Sequence, residues 1–296
     1  MGFNNILGNE KVKKYLTKDI ENSSIVHSYI FSGIESIGKL LFAKEFANNI
    51  LCLNNRLENC NCKSCLCFKS ENHPDFEIMN EEGQTIKIEQ IRLLTNKIIE
   101  KPIISNKKIY IINDAEKMTK EAQNCLLKTL EEPPEFAVLI LITSNINLLL
   151  NTVVSRCINI SFEKISNEQL YKFCKENLGY IDLDDTLLQS FNGSIGKAIE
   201  YKENENEYKL IQDTINNLNK ILIINLLNNL KPIYNKEKIY NYLNYMTTCI
   251  YEKTKENKKY LNCINYVTET ISKIKMNGNL DMNIDMLLIK MWEEVN

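Results

Sequence analysis

Five short apolar runs, at 29–32, 76–79, 109–113, 138–143 and 158–162, lie in the first part of the chain, and the segments between them carry apolar residues at helical spacing. Strands that alternate with helices predict a parallel sheet, because each parallel crossover needs about a dozen residues to return and usually spends them on a helix. The clearest helix is predicted from Thr119 to Glu132: Ala122, Leu126 and Leu130 repeat every four residues, Thr119 suits an N-cap, and Pro133-Pro134 stops it. Beyond 162 the strand signal fades. Residues 166–203 read as a small helical domain with a Gly193-Ser194-Ile195-Gly196 turn, and the polar run 202–207 reads as a linker. Leu, Ile and Tyr at helical spacing then predict a third, all-helical domain over 208–296, broken at Pro232 and at the 276–279 turn. The expected architecture is α/β over 1–165, followed by all-α.

Composition and charge narrow the picture without naming a function. A chain of 296 residues is long enough for two or three domains, and 44% hydrophobic with 25% charged residues is ordinary for a soluble globular protein. The net charge of −2 gives no global footprint for nucleic acid, so any DNA contact would rest on a local patch or on partners. Residues 1–10 lack a basic stretch followed by an apolar run, and no later stretch reaches bilayer length, so the expected location is the cytoplasm. In that reducing compartment the ten cysteines, five of them within 52–67, point to metal rather than to disulfides.

Two motifs carry phosphate chemistry. Gly33-Ile34-Glu35-Ser36-Ile37-Gly38-Lys39-Leu40 follows an apolar strand and opens a helix, the context of a P-loop whose N–H groups cradle phosphates while Lys39 supplies a point charge. Its eighth position should bear the hydroxyl that ligates magnesium, and Leu40 has none. A helix merely entered through glycines is the plainer alternative. The second motif, 109–116, is an apolar strand ending in Asn113-Asp114-Ala115-Glu116, where an active enzyme carries a magnesium-binding Asp followed by a Glu that polarises water. Asn113 is neutral and Asp114 is one carbon short of Glu. Simple capping of the next helix by Asp114 or Glu116 is the competing reading.

The string Glu116-Lys117-Met118-Thr119-Lys120-Glu121-Ala122-Gln123-Asn124-Cys125-Leu126-Leu127-Lys128-Thr129-Leu130-Glu131-Glu132-Pro133-Pro134 closely resembles a signature of the clamp-loader subunits of bacterial DNA polymerase III, a branch of the AAA+ proteins. Thr152-Val153-Val154-Ser155-Arg156-Cys157 is similar to their Ser-Arg-Cys motif, and His27-Ser28-Tyr29 and His73-Pro74-Asp75 are similar to further signatures. The resemblance is strong over about 3–165, weaker to about 203 and only architectural beyond. It implies an AAA+ parallel-sheet module with a zinc insertion at about 52–67, a small helical lid over 166–203 and a helical collar over 208–296. Cys52, Cys62 and Cys65 fit the zinc-ligand pattern of that family and Cys60 stands one residue out of place; the expected set that holds Zn²⁺ is Cys52, Cys60, Cys62 and Cys65, with Cys67 or His73 as substitutes, while Cys125, Cys157, Cys174, Cys249 and Cys263, single in apolar context, and His27 read as structural.

The departures favour the delta-prime type over the ATP-hydrolysing tau/gamma type: Leu40, Asn113-Asp114, and Gly196 where an active subunit's lid would offer an Arg. Gly33, Gly38 and Lys39 then form a degenerate P-loop with doubtful ATP binding, and no intrinsic ATPase activity is expected. Arg156 would act as an arginine finger on a neighbour's nucleotide; a surface Arg paired with a local carboxylate is the alternative. The partners implied are tau/gamma and delta subunits, the sliding clamp and primer–template DNA, in a pentameric ring. Lys128 and Arg92 are candidates for DNA contact that solvated helix faces explain equally well. Two other classes remain open, an active tau/gamma-type ATPase and a non-catalytic zinc module that binds DNA directly.

Overall fold

A computed structural model describes residues 3, 6–54, 60–80, 84–180, 183–236 and 238–296. Within the cysteine segment, 55–59 lie outside the described residues. The chain runs α1 (Glu10–Glu21), β1 (Ser28–Ser32), α2 (Lys39–Leu51), α3 (Lys63–Lys69), β2 (Phe76–Met79), α4 (Ile88–Ile98), β3 (Lys108–Ile112), α5 (Lys120–Glu131), β4 (Ala137–Thr143), α6 (Asn151–Val154) and β5 (Ile158–Ser161). Eight further α-helices follow among the described residues: α7 (Asn167–Leu178), α8 (Asp185–Ser190), α9 (Ile195–Glu203), α10 (Glu205–Asn216), α11 (Ile223–Asn229), α12 (Ile239–Thr254), α13 (Tyr260–Lys275) and α14 (Leu280–Val295). No helix among the described residues is long and apolar enough to cross a membrane. The chain forms two compact units, Met1–Gln169 and Leu170–Asn296, with the division inside α7.

In the first unit the five strands form one parallel sheet in the order β2-β3-β4-β1-β5. The apolar runs are nearly continuous because helices cover both faces, so β1, β3 and β4 are buried at every position. Alternation still sorts the side chains. Tyr29, Phe31, Ile109, Ile111, Val138, Ile140 and Ile142 pack with Phe42, Phe46 and Leu16 of α2 and α1. Ile30, Tyr110, Ile112, Leu139 and Leu141 face Ile91 and Leu94 of α4 and Ala122, Leu126 and Leu130 of α5. The helix predicted at 119–132 forms as α5, with the Thr119 hydroxyl accepting the Ala122 N–H. Its apolar stripe has found the sheet face it required.

The second unit is all helical. The polar run 202–207, read as a linker, is helical on both sides of Asn204: α9 ends at Glu203 and α10 begins at Glu205. Lys202 pairs with Glu205 at 2.8 Å, and Tyr201 of α9 stacks on Tyr208 of α10 and meets Tyr245 of α12 edge-on. Aromatic burial therefore joins the helices of 166–203 to those beyond 208. The expected break at 276–279 lies between α13 and α14, where Asn279 caps the Met282 N–H.

Candidate functional site

The carboxyl ends of β1, β3 and β4 lie side by side, because β4 pairs with both of the others. In an open α/β sheet this edge gathers the loops that do chemistry. The P-loop leaves β1 through Gly33, whose N–H donates to Thr143 O at 3.2 Å. Gly33 has φ 153°, and an added Cβ would sit 2.8 Å from Phe162 O and 2.9 Å from Ile37 Cδ1. Only glycine fits such an approach. Gly38 has φ 90° and caps α2 from the left-handed region.

Lys39 is buried, with 7% exposure, and its ammonium donates to Gly33 O at 2.5 Å and to Ile34 O at 2.7 Å. The side chain is thus turned onto its own loop. Burial lowers its pKa, opposed by the carboxylates of Glu116, Glu35 and Asp114 in that order. Leu40 packs at the edge of the core on the α1–α2 face, so nothing in the eighth position offers an oxygen to a cation.

Asn113 falls just past β3, its N–H donating to Met79 O. Asp114 has φ 49° and heads a short 3-10 turn, Ala115–Lys117, yet its side chain makes no capping bond. It pairs with Lys117 at 2.9 Å. Glu116 is the acid tied into the site: its Oε1 accepts the Ser144 N–H at 2.9 Å and the Ser144 hydroxyl. Burial opposes its charge, but the two Ser144 donors, with its own N–H and the Thr143 hydroxyl, together hold the carboxyl below its usual range. Ser144, at the end of β4, carries no local signal and is found only through strand order.

Arg156 follows α6, its guanidinium paired with Glu131 at 2.7 Å and donating to Thr152 O at 2.9 Å. The two specific motifs therefore meet at a single ion pair. Gln123, 2% exposed on α5, donates to Met118 O and Leu148 O at 3.2 Å each and accepts the Leu150 N–H at 2.7 Å. It fixes the start of the segment that ends in Arg156. Sequence reasoning passed over it, although an amide flanking the stripe of Ala122, Leu126 and Leu130 was a usable signal. Lys128 and Arg92 are both exposed.

The cysteines form a second site. Cys52 ends α2 and Cys62 caps α3; one sulfur each from Cys52, Cys60, Cys62 and Cys65 lie within 4.8 Å of one another. Four thiolates around a tetrahedral ion at about 2.3 Å would stand roughly 3.8 Å apart, so the set could hold a metal ion. Burial works against the Cys62 thiolate, but N–H donors from Cys65 and Leu53 with neighbouring thiols bring the Cys62 pKa down to about 6, while burial pushes the Cys65 pKa up. Cys67 is outside this group. His73 is engaged elsewhere: Nε2 meets the Ser64 hydroxyl at 2.9 Å, and Nδ1 accepts the Asp75 N–H at 3.1 Å. Asp75 in turn accepts the N–H groups of Ile103, Ile104 and Ser105. Ser64 and Ser105 both donate to Leu51 O, so the His-Pro-Asp motif knots the cysteine segment to the sheet.

Sheet order, P-loop and acidic loop together define an AAA+ module. A family model described as DNA polymerase III, delta subunit, matches residues 8–166, more than half of the chain, and the chain belongs to that family. DNA polymerase III subunit delta' of Bacillus subtilis (strain 168) is 33% identical over 199 residues, covering 66% of this chain and 59% of that protein. The gamma subunit of Buchnera aphidicola subsp. Acyrthosiphon pisum (strain APS) is 30% identical over 209 residues, covering 68% and 58%. The chain thus matches about three fifths of the length of these relatives. A gamma subunit-related protein from Thermotoga maritima shares the fold, with a TM-score of 0.61 at 18% identity over 95% of this chain and 99% of that one.

Proposed function

We propose that the chain is a non-hydrolysing, delta-prime-type subunit of a DNA polymerase III clamp loader, and that Arg156 acts on the nucleotide of a neighbouring ATPase subunit. One observation carries this reading. The P-loop lacks an oxygen at Leu40, has Lys39 turned onto its own carbonyls and faces an Asp114 already paired with Lys117, while the Ser155-Arg156-Cys157 motif is complete. Phosphoryl transfer relies on magnesium and correctly placed acids to neutralise charge, so this chain's own site is poor where its finger is not. A finger needs only a neighbour's phosphate. Its partners on this reading are tau/gamma and delta subunits and, through the ring, the sliding clamp and primer–template DNA. The helices beyond 208 serve as collar and those of 166–203 as lid.

The four-cysteine cluster holds one structural Zn²⁺ that orders the insertion. The similarity to gamma subunits keeps an ATPase reading in play, and it is tested directly. The purified chain should co-purify with tau/gamma and delta subunits and show no magnesium-dependent ATP turnover. Turnover abolished by Lys39→Ala would contradict the assignment.

A further inference from the structure

Helix α5 grips the segment that carries Arg156 at both ends. At its start Gln123 accepts the N–H of Leu150, the N-cap of α6, at 2.7 Å and donates to Leu148 O at 3.2 Å. About two turns further along α5, roughly 12 Å on, Glu131 meets the Arg156 guanidinium at 2.7 Å. Between these anchors Leu126 and Leu130 of α5 share one buried cluster with Val153 of α6. Both terminal nitrogens of the guanidinium are thus engaged from within the chain: Nη2 pairs with Glu131, while Nη1 donates to Thr152 O at 2.9 Å and approaches the Ser155 hydroxyl at 3.5 Å. A guanidinium carries more N–H groups than these contacts use, so donors remain for a phosphate. Glu131 is also the last residue of α5, where the helix dipole disfavours a carboxylate. Local helix stability gives no reason for an acid there, and the arginine does.

From this geometry we infer that Glu131 is a positioning residue of the finger: it holds the Arg156 guanidinium in one orientation, so that the neighbour's nucleotide meets an arginine already ordered. The inference rests on the reading of Arg156 as a finger. A long side chain loses rotamer freedom when it engages a phosphate, and that loss opposes the reaction unless the side chain is fixed beforehand. Both partners of the ion pair are partly exposed, so the pair adds little to folding and its effect on hydrolysis can be read separately. Glu131 touches no nucleotide and acts through Arg156 alone.

The test is steady-state, DNA-stimulated ATP hydrolysis by a complex reconstituted with tau/gamma and delta subunits, its assembly checked by gel filtration. Glu131→Ala should leave the complex intact and lower kcat by about three- to tenfold, with KM for ATP unchanged, because only the transition state loses an ordered cation. Glu131→Gln, which keeps an acceptor for Nη2, should lose less. In a complex that already carries Arg156→Ala, adding Glu131→Ala should change nothing. If Arg156→Ala slows hydrolysis while Glu131→Ala does not, or if Glu131→Ala slows the Arg156→Ala complex further, Glu131 has no positioning role. A rise in kcat with Glu131→Ala would overturn the inference as well, since the carboxylate would then restrain the finger. Hydrolysis at the unmodified rate by an intact Arg156→Ala complex would instead overturn the finger reading, whatever the Glu131 variants do.

Discussion

The guanidinium of Arg156 lies 2.7 Å from the carboxylate of Glu131, at the start of the Glu131-Glu132-Pro133-Pro134 string that ends α5. The two side chains are 35% and 49% exposed, so water screens the pair and its contribution to stability is about 0.2–1 kcal/mol. Such a pair holds an arginine in place at little cost to release it. Arg156→Ala and Glu131→Ala should each lower Tm by less than about 4 °C in differential scanning calorimetry. A larger drop would make Arg156 a structural residue.

Elemental analysis of chain purified without chelator should find about one zinc per chain. Cys62→Ser should lose the metal and Cys67→Ser should keep it, because only Cys62 belongs to the converging set. Metal-free, fully reduced protein that melts like the purified chain would remove the zinc site from the account.

Asp75 is fully buried and accepts three backbone N–H bonds. Burial opposes its charge, but those bonds hold its carboxyl below the ordinary value of 3.8. A carboxyl depressed in the folded state contributes fully above its unfolded value and loses that contribution as pH falls through the folded value. Stability should therefore decline below about pH 4. Asp75→Asn should cost on the order of 3 kcal/mol at neutral pH and flatten that decline. Denaturant titrations at pH 7 and pH 3 check both, and equal slopes in the two proteins would refute the role.

Tyr201 packs on Tyr208 and Tyr245, so a cut at residue 202 would tear an aromatic cluster rather than separate a domain. A cut at 169 respects the two compact units. A chain ending at 169 should fail to join tau/gamma and delta subunits in gel filtration. Its normal incorporation would place the assembly surface on the AAA+ module.

Much of this fold is local and was therefore legible. All five strands lie within one residue of the apolar runs at each end, and Thr119, Ala122, Leu126 and Leu130 mark α5 by cap and period alone. The glycines of the P-loop and the cysteine spacing also announce themselves. What escaped depends on the order of strands. Ser144 reaches Glu116 because β4 lies beside β3, and Arg156 reaches Glu131 across the gap between two motifs, so neither pairing has a sequence period. The 202–207 run misled because Lys202 and Glu205 stand three residues apart and pair, and Glu205 pairs again with Lys209 four residues on, so its charges support the helices instead of dissolving them.

On the proposed function, Arg156 serves a nucleotide this chain does not own. The most direct measurement is DNA-stimulated ATP hydrolysis by a complex reconstituted with tau/gamma and delta subunits. Arg156→Ala should leave the complex intact while hydrolysis falls by on the order of tenfold or more, and Arg156→Lys should restore little because one ammonium cannot replace a planar fork of donors. Hydrolysis at the unmodified rate by an intact Arg156→Ala complex would contradict the account.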